Sequence, residues 1–128
     1  MTDTPWTPVH GAVESNDFTA LTRCLAEGAD VDEVCGGLTL LMHAIDVEGD
    51  TGLKSGIPPD CRLTAILLAY GADPNATTPA YMAPIDLADF YGHDIAYRLL
   101  DRLINPPLPA AVNGPRSGLW SWRRSRKD

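Results

Sequence analysis

At 128 residues, the chain is long enough for one domain with a continuous core, and its apolar content of 45% is typical of a folded protein. Charge is divided unevenly. Residues 1–105 carry 16 acidic and 5 basic side chains, a net charge of −11, whereas residues 106–128 carry a net charge of +4. An acidic body of this kind argues against nucleic acid as the main partner and favours a basic protein surface.

The cysteines and the amino-terminal sequence indicate the cellular compartment of the protein. The three cysteines, Cys24, Cys35 and Cys61, cannot all pair within one chain, and none has a spacing typical of metal ligands. The amino terminus lacks a basic segment followed by an apolar run, and no stretch approaches the ~18 apolar residues of a membrane span. We therefore expect a cytoplasmic protein that has no membrane partner.

Two sequence motifs recur along the chain. One begins a helix: Thr7 is the expected N-cap and Pro8 the first helical residue. The other ends a helix at a glycine, first Gly28 and later Gly71, where we expect a positive φ. The first motif occurs three times, as Thr7-Pro8-Val9-His10-Gly11-Ala12, Thr39-Leu40-Leu41-Met42-His43-Ala44 and Ala83-Pro84-Ile85-Asp86-Leu87-Ala88.

The motif that begins a helix resembles the Thr-Pro-Leu-His-x-Ala signature of ankyrin repeats, whose period is about 33 residues. The second copy begins 32 residues after the first, and the third begins 44 residues after the second. The resemblance implies an all-α solenoid of three helix-turn-helix repeats with short β-turn fingers. The repeats are expected at about residues 4–33, 36–76 and 80–105, so that residues 1–105 form the ankyrin-repeat domain.

The second repeat contains an insertion. Ala12 and Gly28 are 16 residues apart, whereas Ala44 and Gly71 are 27 apart, which places about 11 extra residues within 48–59. The first helix of this repeat is expected to span about Leu40 to Val47, and the Gly- and Pro-rich insertion to form a surface loop. Both a functional loop and a tolerated insertion without a role remain open.

Residues 106–128 form a Pro-rich and then basic tail. We expect residues Leu108 to Val112 to cap the last helix pair, since a terminal repeat needs a covered outer face. Trp120 and Trp122, with the neighbouring arginines, predict a disordered or self-docked segment. Binding of nucleic acid or of a membrane by this tail is the alternative.

No group of residues in the sequence predicts catalysis. In ankyrin repeats the histidine at the position of His10 hydrogen-bonds backbone, so its expected role is structural. His43 and His93 do not share a helix face at zinc-ligand spacing, and neither calcium-loop nor phosphate-loop motifs occur. Cys24 is expected to be a small core residue. We therefore expect no enzymatic activity, no cofactor and no metal.

What remains is a binding surface. In the ankyrin architecture the first helices and the fingers line a concave face whose variable positions contact partners. The resemblance places these partner-binding positions at Trp6, Glu14, Ser15, Leu38, Asp46, Val47, Met82, Phe90 and Tyr91, with Asp3, Thr4, Cys35, Gly36 and Ala80 beside them. Large apolar side chains with carboxylates around them resemble a binding hot spot. The alternative is that the aromatic residues of the third repeat pack under the tail or the insertion.

The function expected from these features is non-catalytic binding of another protein, in particular inhibition of a basic toxin or enzyme by a small immunity protein. Such a protein would be a monomer or a heterodimer with its partner. The alternative is an adaptor or scaffold subunit whose basic, Trp-containing tail contacts a second partner.

Overall fold

The computed structural model describes residues 6–107. The predictions for Asp3, Thr4 and the tail, including the cap at 108–112 and Trp120 and Trp122, fall outside these residues. Within them the elements in chain order are α1 (Pro8–Glu14), α2 (Phe18–Ala26), β1 (Val34–Cys35), β2 (Leu38–Thr39), α3 (Leu40–Ser55), α4 (Arg62–Ala69), α5 (Pro84–Tyr91) and α6 (Asp94–Ile104).

The helices pack as three pairs: α1 with α2, α3 with α4, and α5 with α6. Helix α3 also packs against α1 on one side and α5 on the other, while α2 contacts α4. The apolar residues between the helices form one continuous core, in which Leu21, Ile45, Leu67 and Leu100 are fully buried. A single pair could not bury its apolar faces alone, so each pair depends on its neighbour.

The recurring motifs determine where helices begin and end, as predicted. The hydroxyl oxygen of Thr7 accepts a hydrogen bond from the backbone N–H of His10, and that of Thr39 from Met42, at 3.4 and 3.1 Å. Pro8 is the first helical residue. Gly71 follows α4 at φ +96°, a backbone conformation that side chains with a Cβ disfavour.

A β-hairpin forms the finger between the first two helix pairs. Val34 pairs with Thr39 and Cys35 with Leu38, across a turn in which Gly36 and Gly37 both have positive φ. The expectation that Leu38 lies on the interaction surface is wrong. Its side chain is only 4% exposed, because it points into the core beside the start of α3.

The prediction of a surface loop over 48–59 is also wrong for most of its length. Helix α3 continues to Ser55, eight residues beyond the expected end at Val47, and stops at Gly56 with φ +71°. The extension is held by packing: Gly49 lies directly against the ring of Tyr91 in α5, and Glu48 is buried. Tertiary contacts of this kind override a weak helix propensity.

Candidate interaction surface

The helices α1, α3 and α5 lie side by side and form one surface, which we call the first-helix face. Every predicted partner-binding helix residue is on one of these three helices or immediately follows one. Two polar clusters organise this face, one between α1 and α3 and one between α3 and α5. Their members on α3, His43 and Asp46, are three residues apart and therefore point the same way along the helix.

The cluster between α1 and α3 is a chain of hydrogen bonds through two histidines. His10 Nε2 lies 3.0 Å from the carbonyl oxygen of Glu33, His10 Nδ1 lies 2.8 Å from His43 Nδ1, and His43 Nε2 lies 2.7 Å from Glu14 Oε1. The bond to Glu33 agrees with the predicted structural role of His10. The pairing with His43 was not predicted.

A backbone carbonyl can only accept, so His10 Nε2, which faces the carbonyl oxygen of Glu33, carries hydrogen and donates. Burial lowers the pKa of His10, and the neighbouring His43 lowers it further, although the bond to Glu33 opposes both.

Trp6 covers this histidine pair. The centroid of its ring lies 4.3 Å from that of His43 and 5.9 Å from that of His10. Both imidazoles are fully buried, so neither can reach a substrate as a general acid or base.

The second cluster joins α3 to α5. The hydroxyl of Tyr91 donates a short hydrogen bond to Asp46 Oδ1. Burial, and then this hydrogen bond, raise the pKa of Tyr91 above its ordinary value of 10.0. Because the ring of Tyr91 also rests on Gly49, the alternative that an aromatic residue of the third repeat packs against the insertion is correct for Tyr91.

Phe90 behaves differently from its neighbour. Phe90 is 68% exposed, and its ring makes an edge-to-face contact with that of Tyr91, with 5.2 Å between centroids at an interplanar angle of 81°. Met82 is 44% exposed in the segment that precedes α5, beside Tyr81 at 44%. Exposed apolar side chains of this size beside carboxylates are typical of residues that a partner covers.

The predicted residues thus fall into four groups. Trp6, Glu14, Asp46 and Tyr91 are tied into the two clusters; Ser15, Met82 and Phe90 are exposed; Val47 is half-buried. Leu38 belongs to the core. Sequence reasoning missed His43, which occupies the variable position after Met42, and its spacing of three from Asp46 was the available signal.

A buried carboxylate lies behind the face. Glu48 Oε2 accepts hydrogen bonds from the backbone N–H groups of Leu63 and Thr64 at 2.8 and 3.2 Å, and Oε1 accepts one from the Thr64 hydroxyl at 2.6 Å. Helix α4 has no side-chain cap at its own N-cap, Cys61. The extension of α3 therefore supplies the negative charge that the start of α4 requires.

A cavity of about 390 Å³ opens beside the first-helix face, between the α1–α2 turn and the insertion. Val47, Ile57, Pro58 and Pro59 give it apolar walls, and Glu14, Asn16 and Thr51 lie among its polar lining residues. Within residues 6–107, no group of three or more His, Cys, Asp or Glu side chains is placed to hold a metal ion.

Comparison with known proteins agrees with this architecture. No protein-family model matches the sequence, and no curated protein sequence matches it. Among solved structures, an ankyrin repeat domain from Acinetobacter baumannii AYE is similar at 26% identity with a TM-score of 0.61, over 75% of this chain and 46% of that one. The chain has an ankyrin-repeat fold. It spans about half the length of the ankyrin structure it matches.

The ankyrin-repeat fold generally mediates protein–protein interaction and is typically a non-catalytic module. Of the helices between residues 6 and 107, none is both long and apolar enough to cross a membrane.

Proposed function

We propose that this protein binds a basic partner protein through the first-helix face. The observation that carries the proposal is the combination of exposed Phe90 and Met82 with the carboxylates Glu14 and Asp46, on a body of net charge −11. A desolvated aromatic anchor supplies affinity, and the surrounding acidic charge steers a basic surface towards it.

The specific role we propose is inhibition: a small immunity or inhibitor protein that covers the active site of a basic toxin or enzyme in the cytoplasm. Acidic charge and a fold that is typically non-catalytic support this role. In this role the protein is a monomer until it forms a heterodimer with its target. Analogy with other small acidic inhibitors, rather than a feature of the fold, links the charge to this role.

The test is co-purification of the full chain with its partner, followed by stopped-flow measurement of the association rate at rising salt. Electrostatic steering predicts that the rate constant falls steeply as ionic strength increases, while the dissociation rate changes little. An association rate that is indifferent to salt would contradict a basic partner.

The second candidate function is an adaptor whose basic tail contacts another molecule. It is favoured by the net charge of +4 and the two tryptophans in residues 106–128. Deleting residues 116–128 separates the two roles. The inhibitor role predicts that partner affinity survives the deletion, and the adaptor role predicts that function is lost.

A further inference from the structure

We propose that the cavity between the α1–α2 turn and the insertion is a side-chain pocket that accepts an arginine from the partner protein. The inference rests on the proposed function for the origin of this arginine. This proposal assigns a role to the insertion, which otherwise only lengthens α3 and adds a short loop after it. At about 390 Å³ the cavity lies at the small end of ligand pockets, which suits one long side chain.

The walls fit the aliphatic part of such a side chain. Val47 comes from the predicted first helix of the second repeat, whereas Ile57, Pro58 and Pro59 come from the segment after α3. Ile57 is 65% exposed although it lines a cavity, so a side chain between these walls would cover apolar surface that is now in water. Long basic side chains bury their stems in this way while the charged end reaches polar groups.

The polar lining fits a guanidinium. Glu14 is half-exposed, and its Oε1 bonds His43, while its Oε2 has no hydrogen bond within the described residues. Ser15 and Asn16 add side-chain oxygens to the same lining. A guanidinium has five donors in a planar fork and is weakly hydrated, so it can bond several acceptors at once, whereas an ammonium acts as a point charge.

The cations already near the pocket leave Glu14 available. Lys54 Nζ is 2.9 Å from Asp50 Oδ2, and the guanidinium of Arg62 is 3.1 Å from Asp60 Oδ2. Each is thus paired with a carboxylate next to it. An incoming arginine therefore finds an acceptor that neither neighbouring cation occupies.

The experiment titrates the full chain with the peptide acetyl-Gly-Arg-Gly-amide and follows backbone amide chemical shifts by NMR. We expect saturable changes at millimolar concentration that are confined to the neighbourhood of Asn16, Thr51 and Gly52. The matched peptide with citrulline, a neutral isostere of arginine, should cause no saturable change, and the lysine peptide should bind several-fold more weakly.

Three variants locate the site. Glu14→Gln should weaken binding about tenfold or more, because it removes a charge-assisted hydrogen bond. Thr51→Phe should abolish binding by filling the cavity, without touching the His10–His43 chain. Glu27→Gln, the same change at an exposed site at the end of α2, is the matched control and should bind as the wild type does.

Equal binding of the arginine and citrulline peptides, or shifts spread over the whole acidic surface, would overturn the proposal. So would a several-fold gain in peptide affinity when Arg116, Arg123, Arg124 and Arg126 are changed to glutamine, because the chain's own tail would then be the occupant. If a partner protein binds the wild type and Thr51→Phe equally, the proposal of an arginine pocket is refuted, whereas the proposed function is retained. If the peptide binds but no partner does, the proposed function fails alone.

Discussion

Glu48 and His93, 45 residues apart in sequence, are joined by a hydrogen bond of 2.9 Å between Oε1 and the imidazole Nε2. His93 Nδ1 accepts from the backbone N–H of Ala96 at the start of α6, so Nε2 carries the proton and donates. The same carboxylate bonds the start of α4. One side chain from the extended part of α3 therefore links the second and third helix pairs.

This arrangement predicts that Glu48→Gln destabilises the protein by about 1 to 3 kcal/mol, because an amide NH₂ replaces an acceptor among donors in a buried site. Urea unfolding monitored by circular dichroism measures the free energy. Glu27→Gln, at an exposed position, is the control and should change it by less than about 0.5 kcal/mol. Equal effects of the two substitutions would show that the buried carboxylate is dispensable.

A second prediction concerns the contact between Gly49 and Tyr91. A Cβ at Gly49 would lie only 2.6 Å from Cβ of Tyr91, with Cγ closer still. Gly49→Ala should therefore force α3 and α5 apart and destabilise the stack by about 1 to 3 kcal/mol. Gly11→Ala is the matched control, since Gly11 lies within α1 and has open space around it, so alanine there should stabilise by up to about 1 kcal/mol. Similar melting temperatures for both variants would contradict the close approach.

A third prediction isolates backbone strain at Gly71. A Cβ there meets nothing within 4 Å, but φ is +96°, so the cost of a side chain is conformational and not steric crowding. Gly71→Val should lower the free energy of unfolding by more than about 1 kcal/mol. Thermal unfolding provides the measurement. An unchanged melting temperature would refute the assignment of Gly71 as the residue that ends α4.

A fourth prediction follows from the lowered pKa of His10, whose main cause is burial. The unfolded chain binds a proton at this ring more readily than the folded chain does. The contribution of neutral His10 to stability is therefore present above about pH 6.5 and is lost as the pH falls through the folded value. The free-energy difference between wild type and His10→Gln should shrink on acidification.

NMR titration of the imidazole ring protons measures the pKa of His10 directly. The expected midpoint lies below the ordinary histidine value of about 6.5. A midpoint at or above that value would mean that the ring is not held neutral between His43 and the Glu33 carbonyl.

Helix starts and ends were predictable because they depend on local chemistry. Thr7, Thr39 and Gly71 act through hydrogen bonds or dihedral preferences within a few residues, and the structure places them as the sequence indicates. The helical continuation after Val47 was not predictable in this way. Its glycines disfavour a helix locally, yet Gly49 is the residue that lets Tyr91 approach.

The candidate surface was predictable only in part, for the same reason. The repeat phase places Glu14, Asp46 and Phe90 on first helices, but it does not show which side chains pair across them. The contact between His10 and His43 depends on an offset of one position, since Met42 occupies the place in phase with His10. Burial of Leu38 depends on how the hairpin folds over the start of α3.

The most direct test of the proposed function compares the dissociation constants of wild type and Phe90→Ser for the partner protein, once that partner has been isolated. Tyr70→Ser is the matched control. Phe90 is 68% exposed on the first-helix face, whereas Tyr70 is 45% exposed at the end of α4. If the first-helix face holds the partner, Phe90→Ser should weaken binding by about 2 kcal/mol, roughly 30-fold, and Tyr70→Ser should leave it unchanged. Unchanged affinity for Phe90→Ser, with loss for Tyr70→Ser, would place the binding surface on the second helices and contradict the account.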